Sequence, residues 1–422
     1  MSDFTLIAAY AVFLLSYSVF ALGKFPGMKI DRTGAAIIGA VLMVAVRAVR
    51  PAEALPFIDF GTIVLLFSMM LLVAYLHLAG FFDWVAERVV SKLDPPHLLP
   101  AIIFLSGLLS AFFVNDIVCL AMVPFTLSAA RRMNLRPAPY LLAVATSSNI
   151  GSVATITGNP QNMLIGSSSG IRYQDFLVHL GPVALAGLFV DWLLIWLLAT
   201  PSASASASAP LRTSAATGAS ALRPADDAPA VRHDHAGLLK PAIVAALVLA
   251  GFLAGFSPPL VAALGAATML ITSTREPRLV YDDVDWGLLV FFVGLFLIVG
   301  GAENAGLMTR LLAWSHNWNL ERPAVLTLAT ALLSNIVSNV PAVMLLKSLV
   351  PRFANPHTGW LLLAMASTLA GNLTITGSVA NIIVVERARP EVEIGFLEYL
   401  RIGLPVTLVT LAIGWLWLVM IR

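Results

Sequence analysis

The stretch Asn149–Asn162, NIGSVATITGNPQN, is a strongly polar run inside a hydrophobic part of this chain. YLLAVA precedes it and MLIG follows it, so it lies where a membrane-spanning helix would otherwise continue. Backbone N–H and C=O groups at membrane depth must be satisfied by protein or by water in a cavity. The run therefore predicts an interrupted helix beside a polar cavity, if the chain is a membrane protein.

The composition is typical of a membrane protein. Of the 422 residues, 59% are hydrophobic and 11% are charged, whereas soluble domains carry about 25% charged residues. We therefore predict a polytopic membrane protein whose main partner is the lipid bilayer. Basic residues occur singly or in pairs, which disfavours nucleic acid as a partner. The single cysteine, Cys119, excludes an internal disulfide and a multi-thiolate metal site.

Hydrophobic segments of about 20 residues predict membrane spans. Ten segments are interpreted as spans, three of them short: 4–22, 33–46, 61–79, 140–165, 176–198, 241–256, 260–272, 286–302, 360–385 and 402–420. Segments 98–130 and 324–349 differ, because Asn115-Asp116 and Ser338-Asn339 divide them. Each arm of about 15 residues would be about 22 Å long, which is shorter than the hydrocarbon core of about 30 Å. Both segments are therefore predicted to be re-entrant hairpins.

A linker rich in Ala, Ser, Thr and Pro, 200–239, separates two related halves, 1–199 and 240–422. It contains SASASASAP and is predicted to be a flexible loop. His233 and His235 lie in it; a metal site there is the weaker alternative to a solvated linker. The halves share Asp-aromatic-Gly at Asp59 and Asp285, and Thr-Ile-Thr-Gly at 155–158 and 374–377. We interpret them as an internal duplication.

Each half is predicted to contain five spans and one hairpin. One of the five spans is a broken helix, at 140–165 in the first half and at 360–385 in the second. Because five is odd, the second half would enter the membrane in the opposite orientation. The fold class is thus an all-α polytopic membrane protein with two inverted repeats. Most of the 25 Lys and Arg residues fall on the linker side. The positive-inside rule then places both termini outside the cell membrane and the linker in the cytoplasm.

The breaks and hairpin tips supply the predicted binding residues, since free helix N-termini suit anions and free C-termini suit small cations. Predicted substrate-binding residues are Asn115, Thr157, Gly158, Asn159, Asn339, Thr376, Gly377 and Ser378. Predicted coupling-ion residues are Ser110, Asn115, Asp116, Ser334 and Asn339. Residues predicted to support the helix breaks are Pro160, Asn162, Pro341 and Asn381. Asn159 and Ser378 are expected to cap the restarted helices.

Other interpretations stay open for single residues. Small residues at the breaks could serve only close helix packing. Asp116 could couple a proton or cation, or could cap the second arm of its hairpin. Asp191 is interpreted as a buried ion pair or interface residue rather than a ligand.

The motifs FFVNDIVCLAMVP (112–124), SSNIGSVATITGNPQN (147–162), SNIVSNVPAVML (334–345) and TITGSVAN (374–381) resemble the ion transporter superfamily. That superfamily includes citrate-transporter-like permeases, arsenite pumps, NhaD-type sodium–proton antiporters and divalent anion–sodium symporters. The resemblance covers nearly the whole chain except the linker. It implies that Asn115 and Asn339 contact sodium and substrate, that Ser110 and Ser334 help to hold sodium, and that the protein is a homodimer with elevator-type alternating access. The tip Val114-Asn115-Asp116 is more similar to the arsenite-pump branch, which suggests proton coupling.

The predicted function is secondary active transport of a small anion, coupled to H⁺ or Na⁺, with no cofactor. The alternatives are a Na⁺/H⁺ antiporter or an arsenite or metalloid exporter of the same fold, and then a channel. No HExxH motif and no paired His within a predicted span are present, so the chain is not expected to be an enzyme.

Overall fold

The computed structural model describes residues 3–24, 27–90, 93–199 and 235–421. Within these ranges every extended regular element is a helix. The first half contains α1 (Asp3–Leu22), α2 (Arg32–Ala45), α3 (Phe60–Leu78), α4 (Phe81–Val90), α5 (Pro95–Phe112), α6 (Asn115–Arg132), α7 (Pro137–Ser152), α8 (Pro160–Ser169) and α9 (Tyr173–Leu198). The predicted all-helical class is confirmed.

The second half repeats this order of helices. It contains α10 (His235–Leu253), α11 (Pro258–Thr272), α12 (Pro277–Asp282), α13 (Trp286–Asn304), α14 (Leu307–Asn317), α15 (Pro323–Val337), α16 (Asn339–Leu346), α17 (Pro356–Leu369), α18 (Val379–Ala388) and α19 (Phe396–Met420). The short α12 corresponds to two 3₁₀ turns of the first half, Pro51–Glu53 and Leu55–Phe57. Thus α3 matches α13, and the interrupted pair α7–α8 matches α17–α18.

Matching helices begin with matching caps. The Asp59 carboxylate accepts a hydrogen bond from Thr62 N at 3.0 Å, and that of Asp285 accepts one from Leu288 N at 2.8 Å. Each bond satisfies one of the free N–H groups at a helix start. The shared Asp-aromatic-Gly motif is therefore the start of the third helix in each repeat.

Contacts between the repeats are reciprocal. α2 of the first repeat packs on α13 of the second, and α11 of the second packs on α3 of the first. In the same way α6 packs on α18 and α16 packs on α8, while α9 packs on its own counterpart α19. Such an exchange is what a two-fold relation between repeats produces, and it brings both interrupted helices to the centre.

Among the described residues, six helices are long and apolar enough to cross a membrane: α1, α3, α5, α9, α13 and α19. Shorter apolar helices, including α2 and α11, accompany them. The chain is an integral membrane protein. Its central helices α7 and α17 are too short to span alone, because each stops where its polar run begins.

Some boundaries differ from the sequence-based expectation. The arms of the first hairpin, α5 and α6, have 18 residues each, not about 15, because α5 already begins at Pro95 and α6 continues to Arg132. Most of the predicted linker lies outside the described residues, as does His233. Its last positions are helical, since α10 already begins at His235.

Candidate functional site

The first break separates α7 from α8. Asn159 has an extended backbone, and its side-chain oxygen accepts a hydrogen bond from Asn162 N at 2.9 Å. Pro160 follows at the first helical position, where a missing N–H costs nothing. The predicted Asn-Pro restart is confirmed.

The second break is longer. Two short 3₁₀ turns, Ala370–Asn372 and Ile375–Gly377, lie between α17 and α18. Ser378 occupies the cap position of α18, but its side chain makes no capping bond. Its hydroxyl instead donates to Asn149 Oδ1 of the other repeat at 2.9 Å. The prediction that Ser378 caps this helix is therefore wrong, because its hydroxyl is hydrogen-bonded to Asn149 instead.

One asparagine in each repeat braces its break. Asn162 Nδ2 donates to the carbonyl oxygens of Ser152 and Thr155, both at 3.0 Å. Asn381 Nδ2 donates to those of Gly371 and Thr374, at 2.7 and 3.0 Å. These four carbonyls are equivalent positions in the two repeats, at points where the α-helical hydrogen bonding is interrupted. Asn162 and Asn381 thus support the breaks, as the shared Asn after Thr-Ile-Thr-Gly indicated.

Asn149 lies at the centre of the site. Its side-chain nitrogen donates to Asn372 Oδ1 and Asn381 Oδ1, both at 2.9 Å. Its side-chain oxygen accepts from Asn115 Nδ2 at 3.0 Å and from the Ser378 hydroxyl. One fully buried amide thereby joins the first hairpin tip to the second broken helix.

The equivalent position in the second repeat is Thr368. Its hydroxyl accepts from Asn159 Nδ2 and from Gln161 Nε2, each at 3.2 Å. Asn339 lies beside it: with its nitrogen facing the two carbonyls, the amide donates to Gly377 O at 3.2 Å and Ser367 O at 3.1 Å. The second tip therefore meets the second break, as Asn115 N meets Gly158 O at 3.0 Å in the first repeat.

The predicted coupling-ion hydroxyls are buried without partners. Ser110 Oγ and Ser334 Oγ make no hydrogen bond, and neither does Asn115 Oδ1. One turn earlier, the hydroxyls of Ser106 and Thr330 are also unpartnered. Buried oxygens in this state leave ligand positions for a small cation or for water.

Three predicted residues lie apart from the network around Asn149. Thr157 faces Tyr173, with 3.0 Å between the two hydroxyl oxygens, and is fully buried there. Thr376 is exposed, and its hydroxyl is 3.4 Å from that of Thr374. Asp116 is the second residue of α6, so Val114 holds the cap position and the capping alternative is wrong. The Asp116 carboxylate is half-buried and makes no hydrogen bond or ion pair within the described chain.

Pro341 lies in the first turn of α16, where its carbonyl oxygen accepts from the Tyr17 hydroxyl at 3.2 Å. Just before it, Ser338 forms the second tip with a φ of 80°. A residue with a side chain rarely adopts this conformation, which costs about 1–3 kcal/mol. The tip is thus a strained point held in place by the surrounding packing.

The two breaks differ in exposure. Residues 139–165, which include the whole first break, are buried. In the second break, residues 370–372, 377 and 378 are buried, whereas residues 373–376 are partly or fully exposed. Equivalent segments of the two breaks therefore differ in exposure.

Sequence reasoning missed Asn149, Thr368, Asn372 and Gln161. Asn149 begins the quoted polar run, and the alignment of the two runs places it on Thr368. A polar residue at the same pre-break position of both repeats was the available signal. The role of Asn372 has no such signal, because its counterpart is Val153.

The fold and site define a membrane transporter, built from two repeats whose interrupted helices meet at a buried polar centre. Residues 17–370 match the family model of the citrate transporters, CitMHS. The chain belongs to this family.

Individual proteins support this assignment. The chain is 31% identical to the "Silicon efflux transporter LSI3" of Oryza sativa subsp. japonica, over 92% of both chains. It is also 31% identical to a "46 kDa membrane protein" of Mycobacterium leprae, over 98% of both chains. The crystal structure of the YdaH transporter of Alcanivorax borkumensis has a similar fold, with a TM-score of 0.57 at 16% identity, covering 99% of this chain and 98% of that one.

Proposed function

We propose that this protein is a secondary active transporter that moves a small anion by alternating access, coupled to H⁺ or Na⁺. The hydrogen bonds around Asn149 are the main support for this proposal. The Asn149 amide links both repeats through Asn115, Ser378 and Asn381. A rearrangement of one repeat against the other must change these bonds. A solute that replaces them would bind the two access states differently, which is what coupling requires.

The chemistry of the site fits a small oxygen-rich solute. The starts of α6 and α18 meet at Asn149, so amide and hydroxyl donors converge there beside two helix N-termini. The unpartnered oxygens of Ser110 and Asn115 would take the coupling cation, and that of Ser334 would serve the second repeat. Homodimer formation and elevator-type motion remain predictions from the family resemblance.

A second candidate is export of a small neutral hydroxide, such as a metalloid acid. Two observations favour it: the described network around Asn149 and Thr368 consists of amides and hydroxyls, without a Lys or Arg side chain, and one relative is named as a silicon efflux transporter. An uncharged solute needs no fixed positive charge.

The test is thermal unfolding of the purified full-length protein with sulfate, phosphate, citrate, arsenite or silicic acid, with and without Na⁺, at two pH values. A ligand that binds only the folded state raises the unfolding midpoint. A rise with one anion that grows with Na⁺ or acid supports coupled anion transport. A rise with only arsenite or silicic acid supports the second candidate. A rise with Na⁺ alone, largest at high pH, would replace both with Na⁺/H⁺ antiport.

A further inference from the structure

Asp191 is a fully buried carboxylate without a counter-ion. It lies in α9 with no exposed surface, and its Oδ2 accepts a hydrogen bond from Thr146 Oγ1 at 2.9 Å. Its Oδ1 has no partner. None of the salt bridges within the described residues involves it. The ion pair expected from the sequence is therefore not formed there.

The packing of α9 on α19 shows what faces this carboxylate. A Cβ added at Gly187 would lie 3.5 Å from Thr410, and one added at Gly414 would lie 3.1 Å from Val183. The two helices are thus antiparallel at their crossing, which places Asp191 level with the turn that contains Thr407. The Thr407 hydroxyl is buried and also has no partner.

The remaining titratable neighbours cannot neutralise a negative charge. Tyr399 of α19 lies within electrostatic range of Asp191 and of Cys119 on α6, and its buried hydroxyl is unpartnered. Both groups are neutral or negative, never positive. An ionised carboxylate in this position would be an uncompensated buried charge, which is costly inside a membrane protein. The carboxyl group therefore requires a bound cation.

A proton fits the surroundings better than a metal ion. Na⁺ needs several oxygen ligands at once, whereas a proton needs only the unpartnered Oδ1, which it converts into a hydroxyl. We propose that Asp191 is the proton-carrying residue that couples the proposed transport to the proton gradient. The coupling role of Asp191 rests on the proposed transport function. The existence of a proton site at Asp191 does not.

A short hydrogen-bonded path joins Asp191 to the candidate substrate site. The side chain of Thr146 donates to Asp191, and its backbone oxygen accepts from Asn372 Nδ2 at 3.2 Å. Asn372 Oδ1 in turn accepts from Asn149 Nδ2. Thr146 and Asn149 lie one turn apart on α7. A change of protonation at Asp191 therefore acts on the last turn of α7, which carries the central amide.

The proposal also accounts for a difference between the repeats. The alignment that superposes Pro182 on Pro405 places Asp191 on Gly414. At Gly414 the space is filled by Met365, whose Sδ would lie 2.7 Å from an added Cβ. The second repeat thus has no room for a carboxylate there, so this site occurs once per chain.

The test is infrared spectroscopy of the full-length protein in lipid vesicles, without solute, from acid to alkaline pH. We expect a carbonyl band of a protonated carboxylic acid that disappears as pH rises. Asp191→Asn should lose this band, and Asp191→Glu should move it. The control is Asp175→Asn in the same helix, which removes only an exposed pair with Arg172 and should leave the band unchanged.

Three results would overturn the proposal: spectra of Asp191→Asn that match the wild type, an Asp191 band that never titrates, or a band that responds to Na⁺ instead of pH. If Asp191→Asn does not fold, Thr146→Val keeps the carboxyl group, removes the hydrogen bond donated to its Oδ2 and should shift the midpoint of the titration; an unchanged midpoint contradicts the site. Because no solute is present, these outcomes are independent of whether the anion-transport proposal succeeds.

Discussion

At the scale of single residues, local chemistry was predictable and long-range partners were not. Asn159 and Pro160 specify a helix start through neighbours two or three positions away, so the sequence indicates their role directly. Asn149 instead has four partners, one at the first hairpin tip and three in the second break and the start of the helix after it. Such convergence depends on how the repeats pack, which a pattern within one segment does not contain.

Replacing Asn149 with Leu should remove solute binding. The change leaves Asn115, Asn372 and Ser378 without a shared partner, and each buried unsatisfied group costs about 1–3 kcal/mol. We expect a lower unfolding midpoint and the loss of the ligand-induced rise in that midpoint. The matched control is Asn317→Leu, an exposed position at the end of α14. If Asn149→Leu keeps the full ligand-induced rise in unfolding midpoint, Asn149 does not belong to the solute-binding site.

Asp116→Asn should change coupling rather than folding. The side chain caps no helix and has no partner in the described chain, so losing its charge breaks no structural bond. We expect an unfolding midpoint near that of the wild type and a weaker pH dependence of solute uptake in proteoliposomes. An unchanged pH dependence would leave Asp116 without a coupling role.

At the scale of helices and turns, the positions of both breaks were predictable because Gly, Asn and Pro interrupt apolar segments. The lengths of the hairpin arms were not, since α5 begins before residue 98 and α6 ends after residue 130. The unequal exposure of the breaks also has no sequence signal: both contain Thr-Ile-Thr-Gly, yet 155–158 are buried and 374–376 are partly or fully exposed. Exposure depends on how the surrounding helices cover each break, which the sequence of the break does not contain.

The glycines of the two breaks allow close approach of backbone segments. A Cβ at Gly158 would lie 2.2 Å from Ser152 O, and one at Gly377 would lie 2.7 Å from Gly371 O. Gly158→Ala and Gly377→Ala should each destabilise the protein, by about 1–3 kcal/mol for a tolerated overlap. The larger drop in unfolding midpoint is expected for Gly158, where the overlap is greater.

The control for this pair is Gly181→Ala in α9, where an added Cβ would make only an ordinary contact with Leu177 at 3.4 Å. It should not lower the unfolding midpoint, because Ala favours a helix more than Gly does. If Gly158→Ala is as stable as that control, the close approach in the first break is not required for folding.

At the scale of the whole molecule, the duplication made the architecture predictable. Once Asp59 aligns with Asp285 and Asn162 with Asn381, the helix order of one repeat gives that of the other. The exchange of α2 and α11 between repeats was not predictable, because each forms its closest packing with the opposite half. As a result, the central helices lie between two groups of helices, and each group contains helices from both repeats.

The orientation in the membrane is a prediction about the whole chain. Because Lys and Arg concentrate on the linker side, we expect both termini outside and 200–239 in the cytoplasm. Single cysteines introduced at Ser2, Ser206 and Arg422 can be labelled in intact cells with a membrane-impermeant maleimide. Positions 2 and 422 should react at once, and position 206 only after permeabilisation. The native Cys119 is buried and bonded to Ser148 at 3.0 Å, so the unmodified chain is the background control. If only position 206 is labelled in intact cells, the orientation is the opposite of the predicted one. The exposed second break is then reached from the other side of the membrane.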